Sequence, residues 1–411
     1  MKPRLSRLLP MAVLDVGTSK TACWIVRVDG DGKAKVLGTH YQESKGYRAG
    51  RVVDLLALSS CLASVIEAAE KQSKERVRYG VLSLPPSMLA TSVEEVDIAL
   101  LGTYVTDEDI KRLQETVKSK IDGQTLHVIH IIPQIYALDG QGGIENPRSM
   151  MGKRLWCRFL VVCAQKAWMQ NLLVAVQRAR LEVMAFVAAP YMAGFACLTE
   201  DEKQLGTVLL DMGGGTVTMS GYKAGVLMFM DHIDQGGEHI TRDLAYGLDC
   251  GLTEAERVKV LQGHCFAGKG SLTSFAGHRA KTHTAMAHVS RERLFDIIYP
   301  RVDTMLTGVQ NKIQAHKKPG FWMQRCVLTG GGSQLAGLKE LIQNLWGKSV
   351  RMAEEENREG TAPTTPDFSV LQGTLRFMEA QKDTLAPGAW LPTFDTRSFL
   401  GKIMSWFREN L

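Results

Sequence analysis

An α/β chain built of two similar halves is the fold class this sequence predicts, and three glycine clusters predict it. Val208-Leu-Leu-Asp-Met-Gly-Gly-Gly-Thr-Val-Thr-Met-Ser-Gly-Tyr222 reads as a buried strand, a nearly bare turn and a returning strand. Val13-Leu14-Asp15-Val16-Gly17-Thr18-Ser19-Lys20 repeats the strand–Asp–x–Gly plan about half a chain earlier, and Thr21 to Val28 returns. Val327-Leu-Thr-Gly-Gly-Gly-Ser333 follows a third apolar strand and opens a helix-like stretch. Glycine turns let amide N–H groups approach an anion closely, while Asp15 and Asp211 at the rims can hold a cation or a water. Phosphate with Mg2+ needs both. One such turn alone is as well explained by a tight hairpin, so the repetition carries the weight.

Taken in order, Met11 to Ser44 holds three β-like runs, broken at Gly17-Thr18-Ser19 and at Asp29-Gly-Asp-Gly32. Val53 to Lys74 reads as a helix, with Leu55, Leu56, Leu58, Leu62, Val65, Ile66 and Ala69 at helical spacing. Tyr79 to Leu84 is a strand stopped by Pro85-Pro86. From Ser87 to Gln165, alternating runs surround one helix announced by Thr106-Asp-Glu-Asp109, a β-α-β-β block set into the first half. Ala167 to Ala179 and Pro190 to Thr199 read as helices, with a strand at Leu181 to Val187 between them.

The second half repeats the plan: hairpin strands to Ile233, a glycine turn at Gly236-Gly237 into a helix, and a helix at Leu252 to Leu261 with Thr253 as N-cap for Glu256. Gly263 to Val289 reads as polar loop, and Arg291 to Lys312 as a long helix interrupted at Pro300. Gly263-His-Cys-Phe-Ala-Gly268-Lys269 imitates a P-loop, but Gly270 lacks the hydroxyl for Mg2+ and a helix precedes it.

With 411 residues, 45% hydrophobic and 22% charged, the chain has an ordinary globular composition and room for more than one core. A net charge of +6 spread along the chain, with no nucleic-acid motif, argues against nucleic acid but permits an anionic membrane surface. The eight cysteines show no metal spacing and lie in apolar stretches, as reduced buried thiols do. His278, His283 and His288 read as loop histidines. No secretory signal or spanning segment is visible, so a cytoplasmic protein is expected.

Two Asp-Gly hairpins followed by a strand–GGG–helix resemble the actin-like ATPase superfamily of actin, sugar kinases and heat-shock chaperone ATPases. The block after Pro85-Pro86 and the wording Leu-Asp-Val-Gly-Thr-Ser-Lys, Leu-Asp-Met-Gly-Gly-Gly-Thr and Val-Leu-Thr-Gly-Gly-Gly resemble its FtsA family, cell-division proteins with an insert placed there. Gly236-Gly237 with Ile240-Thr241, Ala255-Glu256, Lys259 and Pro300-Arg301 add to it. That resemblance implies an actin-like ATPase fold, two α/β halves around a nucleotide cleft with an FtsA-type subdomain inserted in the first. It implies subdomain 1A at 11–84 and 167–203, inserted 1C at 85–166, 2A at 204–246 and 319–365, and 2B at 247–318. A return helix at 366–380, a linker at 381–397 and a terminal helix at 398–411 follow.

Carried over residue by residue, Asp15 and Asp211 hold Mg2+ through water. Gly17, Thr18 and Ser19, with Gly213, Gly214, Gly215 and Thr216, bind phosphate oxygens of ATP, and Lys20 faces them. Gly236 and Gly237 belong to the same site. Glu256 and Lys259 meet ribose and adenine, or else form a solvated ion pair. Gly330, Gly331 and Gly332 let the backbone pass beside the adenosine. Arg301 is the candidate contact for the acidic C-terminal tail of FtsZ, the tubulin-like division GTPase, with an internal salt bridge as its alternative. Two departures stand out: Ala188-Ala189 precedes Pro190 where many relatives carry Glu or Gln to orient the attacking water, and Glu238-His239 follows the double glycine. Slow hydrolysis and a structural role for ATP are therefore expected.

In the tail, Leu400, Ile403, Met404, Phe407 and Leu411 gather on one face at helical spacing, flanked by Phe399 and Trp406, suited to the interface of an anionic membrane. The expected function is an ATP-binding scaffold that self-associates head to tail on the inner membrane face, tethers FtsZ and helps recruit later division proteins. A small-molecule kinase or a pilus-assembly ATP-binding protein on the same fold is the alternative.

Overall fold

The computed structural model describes residues 9–380 apart from 30–31, 124, 267–272, 277–285, 317–322, 355–362 and 364. The first half opens with strands β1 (Met11–Val16), β2 (Lys20–Val28) and β3 (Ala34–Glu43) and a small hairpin, β4 (Tyr47–Arg48) and β5 (Arg51–Val52). Helix α1 (Leu55–Ser73) and β6 (Tyr79–Leu84) follow. The insert comprises β7 (Leu89–Ala99), α2 (Asp107–Ile121), β8 (Leu126–Leu138), β9 (Gln141–Ile144) and β10 (Arg154–Gln165). The first half then closes with α3 (Lys166–Arg178), β11 (Glu182–Ala188), α4 (Ala189–Cys197) and α5 (Glu200–Leu205).

The second half holds β12 (Thr207–Met212), β13 (Val217–Lys223), β14 (Val226–Ile233), α6 (Gly237–Leu248) and α7 (Leu252–Gln262). After these come β15 (Thr273–Ala276), β16 (Met286–Val289), α8 (Arg291–Ala315), β17 (Arg325–Thr329), α9 (Leu338–Trp346), β18 (Ser349–Met352) and α10 (Ser369–Ala380).

The two main sheets have one topology. Read from the meander edge, the orders are β3-β2-β1-β6-β11 and β14-β13-β12-β17-β18. In each, the first three strands run antiparallel and the last two join in parallel. Strands that end in a tight turn pair back on themselves; strands reached through a helix must cross over and arrive parallel. The insert forms its own sheet, β7-β10-β8-β9, covered by α2. Its β9 and the β15–β16 pair were not expected from the sequence; the latter lies in the stretch read as loop.

Local chemistry explains most boundaries. Asp54 caps α1 by accepting from the Leu56 and Ala57 amides, both at 3.0 Å. Thr106 and Asp109 form a reciprocal capping box on α2. Three expectations need correction. Leu56 is 67% exposed and lies off the apolar stripe of α1, which runs from the partly buried Leu55 to Leu58 and beyond. Gly251, not Thr253, precedes α7, and Glu256 is engaged elsewhere. Pro300 does not interrupt α8, because burying Leu294, Ile298, Val302, Met305, Leu306 and Val309 outweighs the roughly 3 kcal/mol that an interior proline costs.

All eight cysteines are buried and unpaired. No described helix is long and apolar enough to cross a membrane. The terminal helix expected from Phe399, Leu400, Ile403, Met404, Trp406, Phe407 and Leu411 lies outside the described residues, as do His278 and His283; His288 is exposed at the end of β16.

Candidate functional site

Topological equivalence puts the two hairpin turns in corresponding places. Gly17 N–H donates to Lys20 O and Gly213 N–H to Thr216 O, each at 2.9 Å, so both turns close alike. They face each other in contact. A Cβ on Gly214 would sit 1.8 Å from Ser19 Oγ, and one on Gly215 would sit 2.6 Å from Thr18 Oγ1. The first turn brings hydroxyls and the second brings bare backbone. Behind the second, Gly237 and Glu238 amides donate to the carbonyls of Gly213 and Gly214 at 2.9 Å, seating the N-terminus of α6 there. A Cβ on Gly236 would meet Gly213 O at 2.5 Å. Ser44 fixes the first turn through Oγ to Gly17 O at 2.7 Å.

Asp15 and Asp211 end their strands half-buried on the cleft floor. Burial raises both pKa values, against Lys20 and, for Asp15, the Ser83 hydroxyl that donates to it. Asp211 is pushed up to about 7 by burial and then by the charge of Asp15. Two carboxylates that oppose each other's ionisation, beside two turns too close for side chains, fit a divalent cation and phosphate. Among the described residues no third His, Cys, Asp or Glu completes a protein-only metal site, so the remaining ligands would be water or phosphate oxygens.

The third glycine turn closes this floor. Gly330, at φ +82°, leaves no room for a Cβ, which would lie 2.3 Å from Asp211 Oδ1; Gly332 likewise abuts Met212 O at 2.8 Å. Glu256 and Lys259 pair at 2.7 Å, and Lys259 Nζ also donates to Gly237 O at 3.1 Å and Thr241 Oγ1 at 2.8 Å. The pair is therefore anchored to the α6 glycine turn through a largely covered Lys259, while Glu256 remains half-exposed. Arg301 stands apart on α8, bound to Asp243 of α6 through Nε at 2.6 Å and Nη2 at 3.1 Å.

Sequence reasoning missed Ser83, Thr329 and Asp367. The first two carried a faint signal, a hydroxyl at the end of the strand that flanks each hairpin. Asp367 carried none, since it reaches the cleft from the far end of the fold and takes the Lys20 ammonium.

With that geometry in hand, similarity to known proteins decides the family. The family model for cell division protein FtsA matches residues 208–373, and that for the SHS2 domain inserted in FtsA matches 88–163, the β7–β10 insert. The cell division protein FtsA of Agrobacterium fabrum is 30% identical over 418 aligned residues, covering 97% of this chain and 94% of that one. The chain belongs to the FtsA family. FtsA of Escherichia coli is 28% identical, covering 97% of each chain. Among solved structures, the PilM-PilN type IV pilus biogenesis complex superposes with a TM-score of 0.64 at 16% identity, over 89% of this chain and 97% of that one. MreB 5 of Spiroplasma citri bound to AMPPNP gives 0.54 at 13% identity, over 91% and 97%. At such identities these two speak for the fold alone. This FtsA-family chain thus has the actin-like ATPase fold with the FtsA insert, and it is a nucleotide-binding cell-division protein.

Proposed function

We propose that this cleft takes Mg2+–ATP as a structural clamp, and that clamped protomers associate head to tail and tether FtsZ to the inner face of the membrane. One observation carries the nucleotide assignment: two closed turns in contact across a pair of half-buried carboxylates. Asp15 and Asp211 would hold the cation through water. Gly17, Thr18, Ser19 and Gly213 to Thr216 would present amides and hydroxyls to phosphate. Lys259 and Glu256 flank the Gly236-Gly237 side, and Gly330 to Gly332 the other. Bound metal supplies the charge that offsets both carboxylates.

At the head of α4, Ala188 and Ala189 offer no side-chain polar atom to orient an attacking water, which supports slow hydrolysis. A clamp joining two halves presents matched ends, and head-to-tail contacts are heterologous, so they extend into filaments. Each protomer then adds one Ser398–Leu411 segment, whose apolar residues recur at helical spacing, to the same surface. Interfacial burial of one such helix binds weakly, whereas a row of them gains effective concentration. The FtsZ tail and later division proteins are the partners that family membership supports. Since Arg301 is held by Asp243, an acidic tail docking there would compete with that bond.

Flotation on anionic liposomes tests the reading. The full chain should float, more strongly with ATP; a chain lacking Ser398–Leu411, or carrying Trp406→Glu, should not. Flotation of the truncated chain, or equal flotation of a proven monomer, would remove the tail-and-polymer mechanism. A small-molecule kinase on this fold would show no nucleotide-dependent membrane retention.

A further inference from the structure

Lys20 closes the first hairpin turn and is the cation that both cleft carboxylates feel. Its ammonium is nevertheless held from the opposite end of the chain. Nζ donates to the Asp367 carboxylate and, at 2.8 Å, to the Asp367 carbonyl. The Phe368 ring lies beneath it, 3.3 Å from nitrogen to centroid. Asp367 is itself steadied. Thr365 Oγ1 donates to its other carboxylate oxygen, and the neighbouring Pro366 carbonyl accepts from Gly330 N–H at 3.3 Å and Thr329 Oγ1 at 3.0 Å. A Cβ on Gly331 would lie 4.0 Å from Asp367 Cβ. The carboxylate thus stands between the first hairpin and the third glycine turn, inside the cleft.

We propose that Asp367 is a carboxylate latch that competes with nucleotide phosphate for Lys20, setting both the affinity of the cleft and its dependence on a divalent cation. The inference rests on the nucleotide assignment above. A phosphate oxygen offers Lys20 the same charge-assisted hydrogen bond that Asp367 now makes, so one must displace the other or share the ammonium. Asp15, Asp211 and Asp367 surround a single ammonium, and that excess of negative charge repels a metal-free nucleotide. A divalent cation offsets it, and so the latch makes the site selective for metal-bound nucleotide.

Calorimetric titration of ADP into the full chain, with Mg2+ and with EDTA, tests this. Asp367→Asn keeps the shape and removes the charge. It should tighten ADP binding in EDTA on the order of tenfold, the scale for removing one like charge at this range in a partly solvated cleft, and by less with Mg2+. Asp367→Glu should stay near wild type. In a Lys20→Met background, Asp367→Asn should gain little, which isolates the pair. Thr365→Val, which removes the hydroxyl steadying the latch, should shift affinity the same way by less, and serves if Asp367→Asn does not fold. Unchanged or weaker ADP binding in Asp367→Asn, with an unaltered melting temperature, would overturn the latch and make Asp367 a support for Lys20. If the wild-type chain binds ADP under neither condition, the nucleotide assignment itself fails and the latch falls with it.

Discussion

The two halves differ most where their topology agrees best. Ser83 stands beside Asp15 as Thr329 stands beside Asp211, each on the parallel strand that flanks its hairpin. Ser83 donates to Asp15. Thr329 instead donates to the Pro366 carbonyl at 3.0 Å. The segment returning from the second half to the first thereby takes a donor from Asp211, and one residue later it takes Lys20 as well. Equal backbones leave carboxylates with unequal partners: burial raises both, the Ser83 hydroxyl acts against it at Asp15, and the charge of Asp15 adds to it at Asp211, which is pushed up to about 7. Fold symmetry sets where the charges stand, and the asymmetric return segment sets where the flanking hydroxyl donates.

The sharpest break of this comparison is Gly214→Val. In the first turn a side chain at the equivalent place is tolerated; in the second its Cβ would fall on Ser19 Oγ. Displacing opposed turns by about an ångström should cost roughly a hundredfold or more in Mg2+-dependent ATP binding, read by calorimetry. Ser19→Gly should restore part of the loss in a Gly214→Ala background, because the two sites share one space.

Next in size is a pH effect to which both carboxylates contribute, because burial raises each above its ordinary range. The folded pKa of Asp211 lies above its unfolded value of 3.8, so between about pH 4 and 7 the native state binds more protons than the unfolded one. Stability of the ligand-free protein should therefore fall as pH rises through that window. Asp211→Asn should remove its share of the fall, leaving that of Asp15, and raise the melting temperature at pH 8, by a stabilisation of at most about 2–4 kcal/mol given the solvent that still reaches the group. A pH profile identical to wild type would show that Asp211 is solvated after all.

Smaller again is the paired test of the hydroxyls. Ser83→Ala removes the hydroxyl that donates to the half-buried Asp15 and should destabilise by about 1–3 kcal/mol in chemical denaturation. Thr329→Ala should cost about 1 kcal/mol and leave the Asp211-dependent pH slope unchanged. Equal effects on that slope would erase the distinction between the halves.

The smallest effect concerns the insert, which only the first half carries. Gln134 of β8 donates to the Leu227 and Met228 carbonyls of β14, at 3.0 and 3.2 Å, and so joins the insert to the second half. Gln134→Ala should destabilise by about 1 kcal/mol and leave isothermal ADP affinity within twofold. A larger change in affinity would show that the insert helps set the distance between the two turns.

Much of this was legible in the chain itself. Turn glycines, strand runs and helix stripes are local: a bare turn needs glycine, and an amphipathic helix writes its period into a few neighbouring residues. Repetition of Asp-x-Gly with a flanking apolar strand was enough to predict paired halves and to pick Asp15 and Asp211. Local signals failed where burial overrode them, as at Pro300, where an apolar residue faces solvent, as at Leu56, and where short strands such as β9 form only because a neighbour pairs with them. What only tertiary structure decided is partnership across long sequence distance. Lys20 meets Asp367, and Thr329 turns to Pro366 rather than to Asp211. A side chain's hydrogen-bond partner is chosen by which groups the packed fold brings within about 3 Å, and no spacing along the chain encodes that choice.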